Sequence, residues 1–274
     1  MASPAQKRIV WTLAILCLMA MLGALLLQPA KPRLYGGRTT LEWVMMLDPD
    51  TKFQVQREAA SDQLRLIGAP AVPELDRILR YRPNSWYERL RGRLPRLGAA
   101  PFVPRFELLS RACEAAYHLA ERADVDISPL VPHLAYHATN GTYADTSGYR
   151  ALVRAGPRGI GILTNWLFTG SDAVRDQAGW ALGLEARRPE VAAALIRSAT
   201  TETNRAICAN ALLYLQRSRT PLEQILPVAL PALQSTDRYT RDMATTLLRE
   251  YANDERVRKA LEAASANSRA TNAR

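Results

Sequence analysis

Leu64-Arg-Leu-Ile-Gly68-Ala-Pro-Ala-Val72-Pro73-Glu-Leu75 is echoed further along the chain by Leu152-Val-Arg-Ala-Gly156-Pro-Arg-Gly-Ile160-Gly161-Ile-Leu163. Each copy reads as the end of one helix, a glycine that stops it, a short turn, and a second helix whose branched apolar residues fold back onto the first. Such a unit cannot bury its apolar face alone and needs the next copy beside it. The expectation is an all-α chain, an α-solenoid of stacked helix pairs.

The same grammar recurs on both sides of these copies. Leu41, Glu42 and Trp43 open a first helix that stops at Asp48-Pro49-Asp50, and Val55 through Ile67 carries apolar residues at a helical period, with Pro73 beginning its partner. Asp172 through Leu182 is followed by Pro189 and Val191 to Ile196. Asn204 through Leu212 is followed by Pro221, Ile225, Val228 and Leu233, and Asp237 through Leu248 by Val257 to Ala264. A less regular copy runs from Glu107 through Ala112, Ala116 and Leu119, with Pro129 or Pro132 starting its second helix. The copy containing Tyr149 has Gly161 where Pro73 stands, and so lacks a proline at the expected second-helix start.

Asp172, Arg175 and Ala178, then Asp237, Arg241 and Ala244, with the Gly68-Ala-Pro70-Ala-Val72-Pro73 corner, make residues 41–264 similar to the HEAT repeat family. The resemblance implies about five or six tandem helix pairs, an armadillo-like helical scaffold that serves protein-protein contact. A fold of this kind does not fix a function by itself. Residues 81–106 break the pattern and read as an insertion, and residues 265–274 read as a disordered tail.

Composition agrees with helices: 48% hydrophobic residues can form a sizeable core, while 14 glycines and 7% aromatics in 274 residues argue against an all-β sandwich. Cys17, Cys113 and Cys208 lie far apart and imply neither a disulfide framework nor a paired metal motif. They read as small apolar fillers.

Lys7 and Arg8, in a basic tail of residues 1–8, precede an apolar run from Ile9 to Leu27 that contains no charge. At ~1.5 Å per residue the run just spans a hydrocarbon core, and no small-x-small cleavage site closes it, so it reads as an uncleaved signal anchor rather than a cleaved signal peptide. Residues 28–40 form the linker. Lys31, Arg33 and Arg38 follow the run, so local charge does not decide orientation; a short basic tail before a long C-terminal domain places that domain on the extracytoplasmic side of a single-pass membrane protein.

The chain offers little that resembles an active site, and the expectation is a non-enzyme without a cofactor or metal. His118, His133 and His137 lie in one stretch, the last two at helical i,i+4 spacing, but no His-Glu-x-x-His accompanies them. A rival reading makes this an enzyme subunit, or a binder of a small ligand or metal through these histidines on the concave face. Gly156-Pro-Arg158-Gly159-Ile-Gly161 has the look of a phosphate-cradling loop, yet the internal echo assigns its glycines to a tight helix-helix corner. No nucleophile elbow or Cys-x-x-Cys pair is present. Asn140-Gly-Thr142 matches a glycosylation sequon.

Charge is the informative surface property. Between Arg77 and Arg105 lie eight arginines against one acid, Glu88, so this stretch carries +7 of the formal +10. Tyr81, Trp86, Tyr87, Phe102 and Phe106 interleave them. Arg82, Trp86, Arg89, Arg91, Arg93 and Arg96 are the candidate partner-binding residues, because guanidinium forks flanked by aromatic rings suit carboxylates or phosphates. The partner expected is a protein of unknown identity with an acidic surface, with an anionic lipid surface as an alternative. A cytoplasmic nucleic-acid groove would use the same chemistry, but export removes that partner. The bland alternative is an ordinary solvated face in an arginine-rich chain. Function is therefore read as a non-catalytic protein-protein interaction scaffold at the membrane.

Overall fold

The structure, a computed structural model, describes residues 33–47, 54–80, 105–140, 146–216 and 220–272, with backbone alone for residues 105–106 and 267–272. The chain divides into two compact units, residues 1–39 and 40–274. The described part of the first unit reverses direction at Gly36 and Gly37, whose φ values are 56° and 79°. There Tyr35 N donates to Arg38 O at 2.7 Å and Arg38 N to Tyr35 O at 3.2 Å. The apolar run Ile9–Leu27 lies outside the described residues. Among the described residues no helix is long and apolar enough to cross a membrane.

The described part of the second unit is all-helical. Its α-helices are α1 Thr40–Met45, α2 Gln54–Ile67, α3 Val72–Arg80, α4 Arg105–Ala120, α5 Val131–Asn140, α6 Thr146–Arg154 and α7 Pro157–Thr169. They continue as α8 Asp172–Gly183, α9 Pro189–Thr201, α10 Arg205–Gln216, α11 Leu222–Leu233, α12 Arg238–Arg249 and α13 Glu255–Asn272. Short 3-10 turns, Ala69–Ala71 and Ser128–Leu130, lead into α3 and α5.

From α2 onward the helices alternate between two layers. First helices α2, α4, α6, α8, α10 and α12 each pack on the next in that order; second helices α3, α5, α7, α9 and α11 do the same. Contacts thus run between neighbouring pairs, an architecture consistent with an α-solenoid. Helices α8, α10 and α12 open at Asp172, Arg205 and Arg238, equal steps along the chain.

The echoed corners fold alike. Gly68 adopts φ 66°, ψ −137° and Gly156 φ 77°, ψ −155°, a region that is essentially reserved for glycine and turns the chain sharply from first helix to second. Leu64 and Leu152, Val72 and Ile160, Leu75 and Leu163 are all buried at matching positions. One expectation changes: α7 begins at Pro157, directly after the glycine, so this pair does have its proline, four positions before the Gly161 that aligns with Pro73. Proline fits there because the first helical N–H has no partner in any case.

Two boundaries also move. Arg105 and Phe106, assigned to the insertion from sequence, belong to α4, whose first turn carries the dipole-favoured Glu107. The last helix continues past Ala264 to Asn272, over residues that sequence assigns to a disordered tail; its alanines at 260, 263 and 264 favour the helix that residues 265–272 extend. Asp237 caps α12 by accepting from Thr240 N at 2.7 Å and Thr240 Oγ1 at 2.7 Å. Helix α11 tolerates Pro227 and Pro231 because both lie on its exposed side.

Candidate functional site

The sequence-predicted site residues Arg82, Trp86, Arg89, Arg91, Arg93 and Arg96 lie outside the described residues. What is described is the frame around them. The segment joins the end of α3 to the start of α4, whereas the other links from a second helix to the next first helix are short, such as Gly170–Ser171 between α7 and α8. Arg77 and Arg80 lead into it from the exposed side of α3, where Arg80 pairs with Asp76 at 2.9 Å.

The first helices are braced from one pair to the next by charged and polar side chains. Between α2 and α4, Arg57 pairs with Glu114, and Arg65 pairs with Glu121 just beyond the end of α4 at 2.5 Å. Arg122 donates to Arg65 O at 2.7 Å. Between α4 and α6, the Arg150 guanidinium stacks 4.0 Å above the Tyr117 ring, and Arg154 of α6 reaches Glu185 beyond α8 at 2.8 Å. Between α8 and α10, Asn204 donates to Asp172 at 2.7 Å and Asn210 to Asp176 at 2.7 Å, and Tyr239 of α12 donates to Asn210 at 3.0 Å. Arg175, singled out from sequence, bonds Asp172 on its own helix and Glu202 before α10 at 2.9 Å.

Electrostatics tighten these braces. Burial pushes the Glu114 carboxyl upward, but hydrogen bonds from His118 and Arg57 outweigh it and hold the group below its ordinary value. Glu121 is held low in the same way, with Arg65 and His118 opposing its burial. Asp172 is held low by hydrogen bonds from Arg175 and Asn204.

The three histidines do not converge. His118 sits against Glu121 at 3.3 Å, Arg65 at 3.2 Å and Glu114 at 3.7 Å. His133 meets Asp76 at 3.4 Å, and His137 Nε2 donates to Leu79 O at 2.9 Å. His133 and His137 share the side of α5 that faces α3, while His118 is engaged with α2. Among the described residues no group of three or more His, Cys, Asp or Glu is placed to hold a metal ion. The Gly156–Gly161 loop likewise serves packing at one of its glycines: a Cβ on Gly159 would overlap the Leu152 carbonyl oxygen, whereas one on Gly161 would meet nothing within 4 Å.

Beyond the charged α3, the second helices α5, α7, α9 and α11 present a different surface. Arg158, Glu190, Arg197 and Glu223 are the only Asp, Glu, Lys or Arg residues of α5, α7, α9 and α11 together. Tyr136 is exposed, Trp166 and Phe168 are half-buried, and Arg197 stacks 4.0 Å above the Phe168 ring. A cleft of about 820 Å³ opens where first helices end, lined by Arg154, Leu184, Glu185, Arg187, Gln216 and Glu250 among others. Arg154 is committed to Glu185, and Gln216 donates to Glu250 at 2.9 Å, so most of the cleft's polar groups already satisfy one another.

Sequence reading missed the braces of Arg57, Arg65, Glu114 and Glu121. Their only sequence trace is arginine on one first helix and glutamate on the next, which becomes a pair only when the lateral register is known.

No protein-family model matches the chain, and no curated protein gives a significant match to it.

Proposed function

We propose that this chain is a non-catalytic scaffold of the HEAT-repeat kind, tethered to a membrane through residues 9–27, that holds a partner protein. The observation that carries the reading is the two-sided stack. First helices commit several of their charges to braces between pairs, which rigidifies the array, while the second helices α5, α7, α9 and α11 leave a nearly uncharged surface with aromatic side chains of the type that protein interfaces use. The Asp172, Arg175 and Asp237 positions that carry the HEAT resemblance take part in inter-pair bracing and capping. Arg82, Trp86, Arg89, Arg91, Arg93 and Arg96 supply a concentrated positive field that attracts an acidic partner and sets its orientation.

The test is charge reversal of Arg89, Arg91 and Arg93 to Glu in the full chain, purified in detergent and immobilised against a membrane extract of its own host. The helical circular dichroism signal is expected to stay unchanged, because these arginines lie outside the described helices whose packing forms the stack. Acidic proteins retained by the parent are expected to elute as salt rises and to be lost from the variant. Equal retention by both chains would reduce the basic stretch to a solvated face. A reporter fused after Arg274 that is active only when exported reads the sidedness.

A further inference from the structure

The cleft at the ends of the first helices has its cause in the corners beside it. Only Ala155 and Gly156 separate α6 from α7, whereas residues 184–188 separate α8 from α9 and residues 250–254 separate α12 from α13. A tight corner next to wide ones leaves a step, and the cleft opens on it. Its lining comes from four successive first helices and their exits: Arg154 ends α6, Leu184, Glu185 and Arg187 follow α8, Gln216 ends α10, and Glu250 follows α12. Packed helices lie ~8–10 Å apart, so three steps make the cleft roughly 25–30 Å long. Spread over that length, its volume of about 820 Å³ leaves a mean section of about 30 Å². That is the section of one extended chain rather than of a helix ~10–12 Å across. At ~3.3 Å per residue the length takes about eight residues.

The polar groups of the lining are unequally spent. Arg154 at 2.8 Å and Arg188 at 3.2 Å both turn to Glu185, which is thereby saturated. Gln216 Nε2 donates to one oxygen of Glu250, so the Gln216 amide oxygen and the second Glu250 oxygen stay open as acceptors for a backbone N–H. Arg187 is exposed, and among the described residues no acid pairs with it. Beside it Leu184 is 37% exposed, a large apolar side chain that the stack leaves open.

We infer that this cleft is a docking groove for an extended segment of a partner protein, which lays a carboxylate on Arg187 and an apolar side chain on Leu184. The open acceptors of Gln216 and Glu250 take N–H groups of its backbone, and the unspent guanidinium of Arg187 offers the paired donors that a carboxylate matches. Nucleic acid is a poorer occupant, because its phosphates would run past the carboxylates of Glu185 and Glu250. A compact ligand would leave most of the length empty. The groove uses neither residues 82–96 nor residues 9–27, so it stands or falls apart from the basic stretch and the anchor.

The experiment titrates the full chain, in detergent at low salt, into fluorescein-labelled, end-blocked octapeptides and reads fluorescence anisotropy. One peptide repeats threonine, leucine and glutamate; the other carries lysine in place of glutamate. The acidic peptide is expected to bind at least about ten-fold tighter than the basic one, and Arg187→Glu to weaken it by at least about ten-fold. Leu184→Ser should weaken it by about three-fold or more, and Arg187→Lys by less than Arg187→Glu. Both side chains are exposed, so the helical circular dichroism signal should hold in all three variants. Arg258→Glu, which reverses an exposed charge on α13 outside the cleft, should leave the affinity unchanged. Equal binding by parent and Arg187→Glu overturns the inference, as does an equal loss in Arg258→Glu, which would reduce the effect to general positive charge. Loss confined to the variant with Arg89, Arg91 and Arg93 changed to Glu moves the peptide to the basic stretch; the groove then falls and the scaffold reading stands. Glutarate that displaces the peptide at the peptide's own concentration overturns the extended occupant, and no binding of the acidic peptide up to about 1 mM overturns the groove outright.

Discussion

Gly159→Ala and Gly161→Ala form a pair of substitutions with opposite expected signs, and the structure sets both. Within a helix, glycine to alanine ordinarily stabilises by about 0.5–1 kcal/mol, because the unfolded chain loses freedom and the helix gains a better former. Both residues lie in α7, so both are candidates for that gain. At Gly161 the added methyl meets nothing within 4 Å, and the gain should appear undiminished. At Gly159 the methyl overlaps the Leu152 carbonyl oxygen and approaches Ala155 Cβ at 3.3 Å. The first obstacle is backbone and cannot rotate away, so α6 and α7 must separate. Forced separation of packed helices costs about 1–3 kcal/mol, which outweighs the propensity gain. The propensity gain is common to both, so the two variants should differ by the separation cost alone, roughly 1–3 kcal/mol, which at about 2–4 °C per kcal/mol for a domain of this size is resolved in thermal melts. Urea titration followed by circular dichroism gives the same ordering independently of aggregation on heating. A Gly159→Ala protein as stable as Gly161→Ala would mean that the corner is looser than drawn, and would return the glycines to the phosphate-loop reading.

Other outcomes test the packing and the braces. Ala178 and Ala244 are fully buried on α8 and α12, so Leu at either should cost about 1–3 kcal/mol in urea titrations, whereas Arg158→Ala, exposed at the start of α7, should be neutral. Glu114→Gln keeps an acceptor oxygen for Arg57 but removes the negative charge that pairs with it; with Arg57 40% exposed the loss at pH 7 should be about 1 kcal/mol rather than the larger figure for a fully buried pair. Because the Glu114 carboxyl is held below its ordinary value of 4.5, its contribution is whole above that pH and drains away as pH falls through the depressed value. Parent and variant stabilities should accordingly converge below pH 4.5 in acid titrations; a gap that persists unchanged there would show that Glu114 acts through packing alone.

Much of the fold was legible in residues 41–264 because a stack of helix pairs is built from local contacts. Helical period, the stop at Gly68 and Gly156, and the proline starts at Pro189 and Pro221 are all short-range properties, and each could be read without knowing what lay beside it. The exceptions are also local: the internal echo aligns Pro73 with Gly161, four positions past the proline that opens α7, and Arg105 continues a run of arginines although it begins α4. The charge concentration around Arg89 is likewise a property of sequence alone.

What tertiary structure decided are the relations between first helices. Glu114 meets Arg57 across 57 positions of the chain, and Asn210 meets Asp176 across 34. Such pairs depend on the lateral register of neighbouring helices, which is set by how buried side chains interlock and not by any period within one helix. The histidines make the same point: spacing put His133 and His137 on one side of α5, but packing gave one an aspartate and the other a backbone carbonyl of α3, and set His118 between Arg65 of α2 and two glutamates of its own neighbourhood, Glu114 and Glu121.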